Sequence, residues 1–215
     1  MDVFTQICFI IGRITPDGVN FLGTGFLVSS DGKIATTKHV IGDSVANLVM
    51  VFPNIVKAND YQDLSDIQCK LTALTVLEMD PIHDLCILKG EIKYGRPFPK
   101  LGSFDNDAVG DEMMIFGFPH CIQGRRAFTH QRAEIGAKVL IEVSGIKTKH
   151  AVLNTQARPG QSGSLIFSPK NESISGMLVG AWVPGQGGIS LGGINPHELH
   201  QTTHCISAEY VSDML

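Results

Sequence analysis

The stretch "ARPGQSGSLIF", residues 157–167, sets Ser162 on a glycine- and proline-rich turn directly ahead of an apolar run. Such a turn has a plain structural reading, because Gly and Pro punctuate strands and serine is common between them. It also has a chemical one. A serine hydroxyl attacks a carbonyl when a base removes its proton and nearby N–H groups stabilise the oxyanion. Two other stretches supply the missing parts. His39 in "IATTKHVIGD" is a candidate base, and Asp84 in "MDPIHDLCILKG" is a candidate carboxylate to orient it. Taken singly, a histidine near a strand end or an aspartate before a strand is more often a surface or turn residue. In the order His, Asp, Ser, each beside an apolar strand, the three form a far stronger signal.

Short β-runs broken by Gly, Pro, Asn and Asp must position them. "FTQICFIIGRI" and "VNFLGTGFLVS" flank the turn "TPDG", and "KIATTKHV" follows "SSDG". "ANLVMVF", "IQCKLTALTVLEMD" and "DLCILKG" bring the first half to about six strands, the spacing of an all-β barrel. "EIKYGRPFPKLGSFDNDAVGD" reads as a connection. A second set follows: "EMMIFGF", "AFTHQRAEI", "AKVLIEVSGI", "HAVLNT", "SGSLIFS" and "ISGMLVGAWV". The closing "AEYVSDML" has helical spacing, with Ser207 as a candidate N-cap. The expected organisation is therefore a β-half over 1–95 carrying His39 and Asp84, and a β-half over 96–215 carrying Ser162 and the terminal helix. If the halves pack face to face, the three side chains converge in the groove between them.

The bulk properties agree with a globular chain. Of 215 residues, 43% are hydrophobic and 18% charged. A net charge of -4 argues against general attraction to nucleic acid or anionic membrane. The five cysteines are odd in number and lack CxxC spacing; several sit in apolar runs such as "QICFII", as small buried hydrophobes. That favours a reducing compartment. With no signal h-region and no apolar run long enough to span a bilayer, the expected location is cytoplasmic.

On these motifs the chain resembles the trypsin-like (chymotrypsin-fold) serine peptidases, and is most similar to the HtrA/Deg-type protease domain. "GTGFLVSSDGKIATTKHV" is similar to the family's hairpin into the catalytic histidine, "HDLCILK" to its aspartate segment, and "LGSFDNDAVGDEMMIFGFP" to its entry into the second barrel. "RPGQSGSLIF" resembles its nucleophile loop, and "ISGMLVGAWV" with "CISAEYVSDML" its closing strand and helix. The resemblance implies an all-β fold of two six-stranded antiparallel barrels with a short C-terminal helix. It implies a serine endopeptidase acting on protein or peptide through His39, Asp84 and Ser162, with the N–H groups of Gly160 and Ser162 as the oxyanion hole. No cofactor is expected. A PDZ-like segment is not part of the expectation.

Departures from the family pattern carry their own expectations. Lys38 stands where a small residue is usual, Arg158 replaces a common Asn, and Ser164 replaces a Gly. Gln161 replaces the aspartate that, in secreted digestive members, pairs with a new N-terminus. An amide cannot form that ion pair, so activation by N-terminal cleavage is not expected; control falls to loop ordering or a regulatory protein partner. The match places the substrate pocket at Thr155, Gln156 and Ala157 and at about Trp182, Val183 and Gly185. None is acidic, so a neutral, small-to-medium apolar residue before the scissile bond is expected. His197, His200 and His204 share a helical face on paper, yet lack a supporting acid in HExxH form, and no metal site is expected. The competing reading is a protease-fold module that binds peptide without turnover.

Overall fold

In a computed structural model, which describes residues 1–182 and 202–215, thirteen strands account for most of the fold. Six of them, β1 (Cys8–Thr15), β2 (Gly18–Leu27), β3 (Lys33–Thr37), β4 (Leu48–Val51), β5 (Leu71–Asp80) and β6 (Leu85–Gly90), close a barrel in the order β1-β2-β3-β6-β5-β4. Phe9, Ile11, Leu27, Ile34, Leu48, Met50 and Leu88 fill it, each at most 2% exposed. The second set is β7 (Lys100–Leu101), β8 (Glu112–Gly117), β9 (Thr129–Val143), β10 (Ile146–Leu153), β11 (Leu165–Ser168), β12 (Ser173–Trp182) and β13 (Thr202–Ser207). Pairing of β11 with β12 closes six of these into a second antiparallel barrel, while β7 adds in parallel to the start of β12. Met113, Ile115, Ile135, Leu153, Leu178 and Cys205 form its interior. All five cysteines are free thiols.

Several elements differ from the sequence expectation, each for a local reason. "FTQICFII" is not one strand: Asp2–Ile7 form a short helix, α1, before β1 begins at Cys8. Phe4 and Ile7 are three residues apart and both buried on one helical face. The Phe4 ring stacks on Phe116 of β8 with centroids 3.8 Å apart, tying α1 to the second barrel. "IQCK" is not strand either, and Ile67 is 89% exposed. Asp63 and Asp66 accept hydrogen bonds from the N–H groups of Ser65 and Gln68, two residues on, which is turn chemistry that competes with strand pairing. "AFTHQRAEI" and "AKVLIEV" instead fuse into the single strand β9 across Gly136. A Cβ there would sit 2.2 Å from Asn154 Oδ1, so that glycine permits a close approach rather than a break. The β9–β10 hairpin turns at Ser144-Gly145 with φ of 52° and 80°, the two-residue pattern whose twist suits a hairpin. Ser207 ends β13 rather than capping the last helix, α3 (Glu209–Ser212); its hydroxyl accepts from Phe104 N–H and lies 3.1 Å from Glu209 Oε2.

The seam between the barrels holds a group of histidines. His83, which precedes Asp84, donates from Nδ1 to Asp80 Oδ2 at 2.5 Å and stacks on Tyr210 of α3 at 4.2 Å. His150 of β10 is buried, and burial, with His204 and His83 near, pulls its pKa down to about 4. Burial also lowers that of His204 on β13. A histidine kept neutral by the fold is protonated more readily once unfolded. Its contribution is therefore complete above about pH 6.5 and is lost as pH falls toward 4. Urea melts are expected to show about 2–3 kcal/mol less stability at pH 4.5 than at pH 7.5, and His150→Gln should flatten that slope. An unchanged slope would locate the acid sensitivity elsewhere.

Candidate active site

Each of the three sequence-marked side chains is delivered by a strand end. β3 runs into α2 (Lys38–Ile41), which carries His39 at its start. The β5–β6 turn carries Asp84, whose φ of 56° is unusual for a residue with a side chain. That conformation is held from three directions. Asp84 O accepts from Lys38 N at 2.9 Å, Oδ1 accepts from His39 N at 2.9 Å, and Oδ2 meets His39 Nδ1 at 2.5 Å. A carboxylate can only accept, so Nδ1 carries the proton and the neutral ring has its lone pair on Nε2. Nε2 is 3.5 Å from Thr37 Oγ1, a contact at the limit of a hydrogen bond. The His39 side chain is 48% exposed, open to a ligand.

Ser162 arrives from the second barrel on the loop between β10 and β11, and that loop rests on the first barrel. Thr24 N donates to Ser162 O at 2.9 Å. Gly23 faces both Ser162 O and the side chain of Val40, the residue after His39. The serine hydroxyl donates to Val179 O at 3.0 Å, and among the described residues it makes no hydrogen bond with His39. His39 and Asp84 are thus joined directly, while the Ser162 hydroxyl is turned to β12. Catalytic hydrogen bonds commonly tighten only when substrate is bound, and one χ1 rotation exchanges the partner of a serine Oγ.

Two glycines shape the loop. Gly163 has φ of 86°, and a Cβ there would fall 1.9 Å from Thr24 O and 2.8 Å from Thr36 Oγ1. Gly163→Ala combines a left-handed backbone with a clash against main chain. It is expected to cost roughly 3–5 kcal/mol, read as a lower melting temperature; a melt like that of wild type would show that the loop can relocate. Gly160, at φ 90°, follows Pro159 in a turn closed by Gln161 N donating to Arg158 O at 3.0 Å, the type II pattern. Pro159 O accepts from His120 N at 2.6 Å, while Gly160 O accepts from Thr24 Oγ1 at 2.9 Å and faces Cys121 Sγ at 3.6 Å. With both carbonyls engaged, the N–H groups of Gly160 and Ser162 have no partner among the described residues. Two free donors beside a serine hydroxyl can donate to the negative oxygen of a tetrahedral intermediate. Thr24, His120 and Cys121 had no sequence signal for this role, since the Thr24–Gly160 contact spans 136 positions.

The remaining positions distribute as follows. Thr155 O accepts from Thr203 Oγ1 at 2.7 Å, Ala157 packs against the second core, and Arg158 Nη1 donates to Gln156 Oε1 at 3.0 Å. The backbone of Trp182 pairs with Thr202 at the end of β12; Val183 and Gly185 lie outside the described residues. So do His197 and His200. His204 lies on strand β13, not on a helix, with Nε2 3.3 Å from Thr202 Oγ1. No group of three metal-ligating side chains forms among the described residues. Ser164, in place of the usual glycine, is fully buried against Gly117, whose missing Cβ leaves room for its hydroxyl.

Comparison with known proteins supplies the family and the fold. The profile of the trypsin-like peptidase domain matches residues 23–177. A protein of Pseudomonas putida (strain GB-1) named "Probable periplasmic serine endoprotease DegP-like" is 28% identical over 155 residues, covering 71% of this chain and 28% of that protein. One of the same name from Chlamydia pneumoniae is 32% identical over 171 residues, covering 77% of this chain and 30% of its own length. The chain therefore spans less than a third of these relatives. The protease domain of MamO from Magnetospirillum magneticum, in its apo form, superposes with a TM-score of 0.70 at 12% identity, covering 99% of this chain and 97% of that one. At that identity the likeness concerns the fold.

Proposed function

The chain belongs to the trypsin-like peptidase domain family, and on that premise we propose that it is a serine endopeptidase whose residues His39, Asp84 and Ser162 work as a triad. The carrying observation is the 2.5 Å contact from His39 Nδ1 to Asp84 Oδ2, which leaves Nε2 as a base beside the nucleophile loop. Ser162 Oγ turns from Val179 O toward Nε2 and gives up its proton as the Oγ–carbon bond forms. The oxyanion settles on the N–H groups of Gly160 and Ser162. His39 then hands the proton to the leaving amine as the amide C–N bond breaks. Water, deprotonated by the same nitrogen, releases the acyl group and restores the hydroxyl.

The substrate is protein or peptide, with a neutral, small-to-medium apolar residue before the scissile bond. The preference rests on Thr155, Gln156 and Ala157, which bring no charge to the pocket. Nucleic acid does not fit the net charge of -4. Among the described residues no helix is long and apolar enough to cross a membrane. The relatives' names point to the periplasm and lend no support to the cytoplasmic expectation. Control by a regulatory partner or by ordering of a loop fits the turned-away Ser162 hydroxyl. That same hydroxyl favours the second reading, a module that holds peptide without cutting it.

Cleavage of a proteome-derived peptide library separates the two. The proposal expects cuts after small neutral residues, lost in Ser162→Ala. Retention of peptides with no cut under any pH or partner condition would leave the binding module.

A further inference from the structure

Position 161 is where the sequence breaks with an ion-paired latch, and the structure shows what occupies its place. Gln161 is 1% exposed. Its Oε1 accepts from Arg158 N at 2.6 Å, and its Nε2 donates to Gln131 Oε1 at 2.8 Å. The orientation of both amides follows from chemistry. A backbone N–H can only donate, so the oxygen of Gln161 must face Arg158; its NH2 then faces Gln131, which must present its oxygen. Gln131 is fixed in turn by β9, where its backbone pairs with Ile115 of β8.

These bonds act on the turn that presents the Gly160 N–H. Residues 158 and 161 are linked twice: by Gln161 N to Arg158 O at 3.0 Å and by Gln161 Oε1 to Arg158 N. Between them lies the Pro159–Gly160 peptide. In a type II turn that peptide can rotate to type I, which carries φ at the third residue from about +80° to about -90° and exchanges the directions of the carbonyl and the N–H. Rotation would aim Pro159 O where the Gly160 N–H now points. Losing Gln131 leaves a buried NH2 without an acceptor, and a buried amide without a partner reorients toward one. The amide of Gln161 would then release Arg158.

We propose that Gln131 is a positioning residue. Through Gln161 it holds the 158–161 turn in the conformation that keeps the Gly160 N–H free for the oxyanion, a neutral latch that needs neither a new N-terminus nor a titrating group. This rests on the peptidase reading for its effect on turnover, but not for its effect on the turn.

Two readouts test it in the full chain. Replacing Gln131 with Leu removes the acceptor, and Gln131→Glu keeps one. Gln131→Leu is expected to lower kcat about 10- to 100-fold with KM within twofold, because an oxyanion donor acts in the transition state. It should also speed hydrogen exchange at the Arg158 amide by tenfold or more. Gln131→Glu should lie within threefold of wild type in both. The pair Gln131→Glu with Gln161→Glu sets two carboxylates face to face. Its kcat relative to Gln131→Glu alone should fall at neutral pH and recover toward pH 5, where the two can share a proton. Faster exchange at Arg158 in Gln131→Leu, with no hydrolysis even by wild type, supports the latch and overturns the peptidase reading. Unchanged exchange at Arg158 in Gln131→Leu overturns the latch, whatever the activity. So does faster exchange with kcat retained, because the turn would then not govern the hole.

Discussion

Ser162→Ala is expected to lower kcat by roughly 10^6-fold while moving the melting temperature by no more than a few degrees. The Oγ forms the covalent bond to the substrate carbonyl in the proposed reaction, and no other atom stands in for it. Its structural part is small, a single hydrogen bond to Val179 O at 3.0 Å in a half-buried position, about 1 kcal/mol net. The loop is held instead by main-chain bonds that alanine keeps, among them Thr24 N to Ser162 O and Gly163 N to Leu178 O at 2.7 Å. Steady-state hydrolysis and a thermal melt of the same preparation check both halves. Retained hydrolysis would remove Ser162 from the mechanism, and a collapsed melt would make the loss of activity uninformative.

Asp84→Asn is expected to cost about 10^4-fold in kcat with little change in KM. Asparagine can still accept the His39 N–H through Oδ1, as aspartate does at 2.9 Å. The second atom changes from acceptor to donor. It then faces His39 Nδ1, now 2.5 Å from a carboxylate oxygen, and favours the tautomer with its proton on Nε2. A nitrogen that already carries a proton cannot take one from Ser162. The imidazolium formed during attack also loses its counter-charge. A kcat within tenfold of wild type would mean that Asp84 serves only to build the turn, where its left-handed φ of 56° needs those same bonds.

The candidate site was legible wherever it depended on local pattern. His39, Asp84 and Ser162 each sit where an apolar β-run meets polar turn residues, and breaks at Gly, Pro, Asn and Asp placed most strands to within a few positions. Legibility ended where a residue's role is set by a partner far along the chain. Thr24 looks like any strand threonine until β2 is placed under the nucleophile loop, 136 positions away. Gln131 is one polar residue in an alternating strand; only the closure of the second barrel brings it to Gln161. The helix α1 escaped because six residues are too few for periodicity to outweigh the β-rich run they lead into. The odd value at Gln161 was visible, but its compensation was not. An amide in place of a carboxylate reads as a lost ion pair until the second amide is found beside it.

If folding gives Ser162 a base, the native protein reacts with a fluorophosphonate at that serine. The reagent phosphonylates a serine only when its hydroxyl is activated and the oxyanion site is formed. Intact-mass analysis and peptide mapping are expected to find one adduct per chain, on Ser162, with the rate at least 10^3-fold lower in His39→Ala. A folded native protein that gains no adduct on Ser162, or a His39→Ala variant that reacts as fast, would mean that His39 does not activate Ser162.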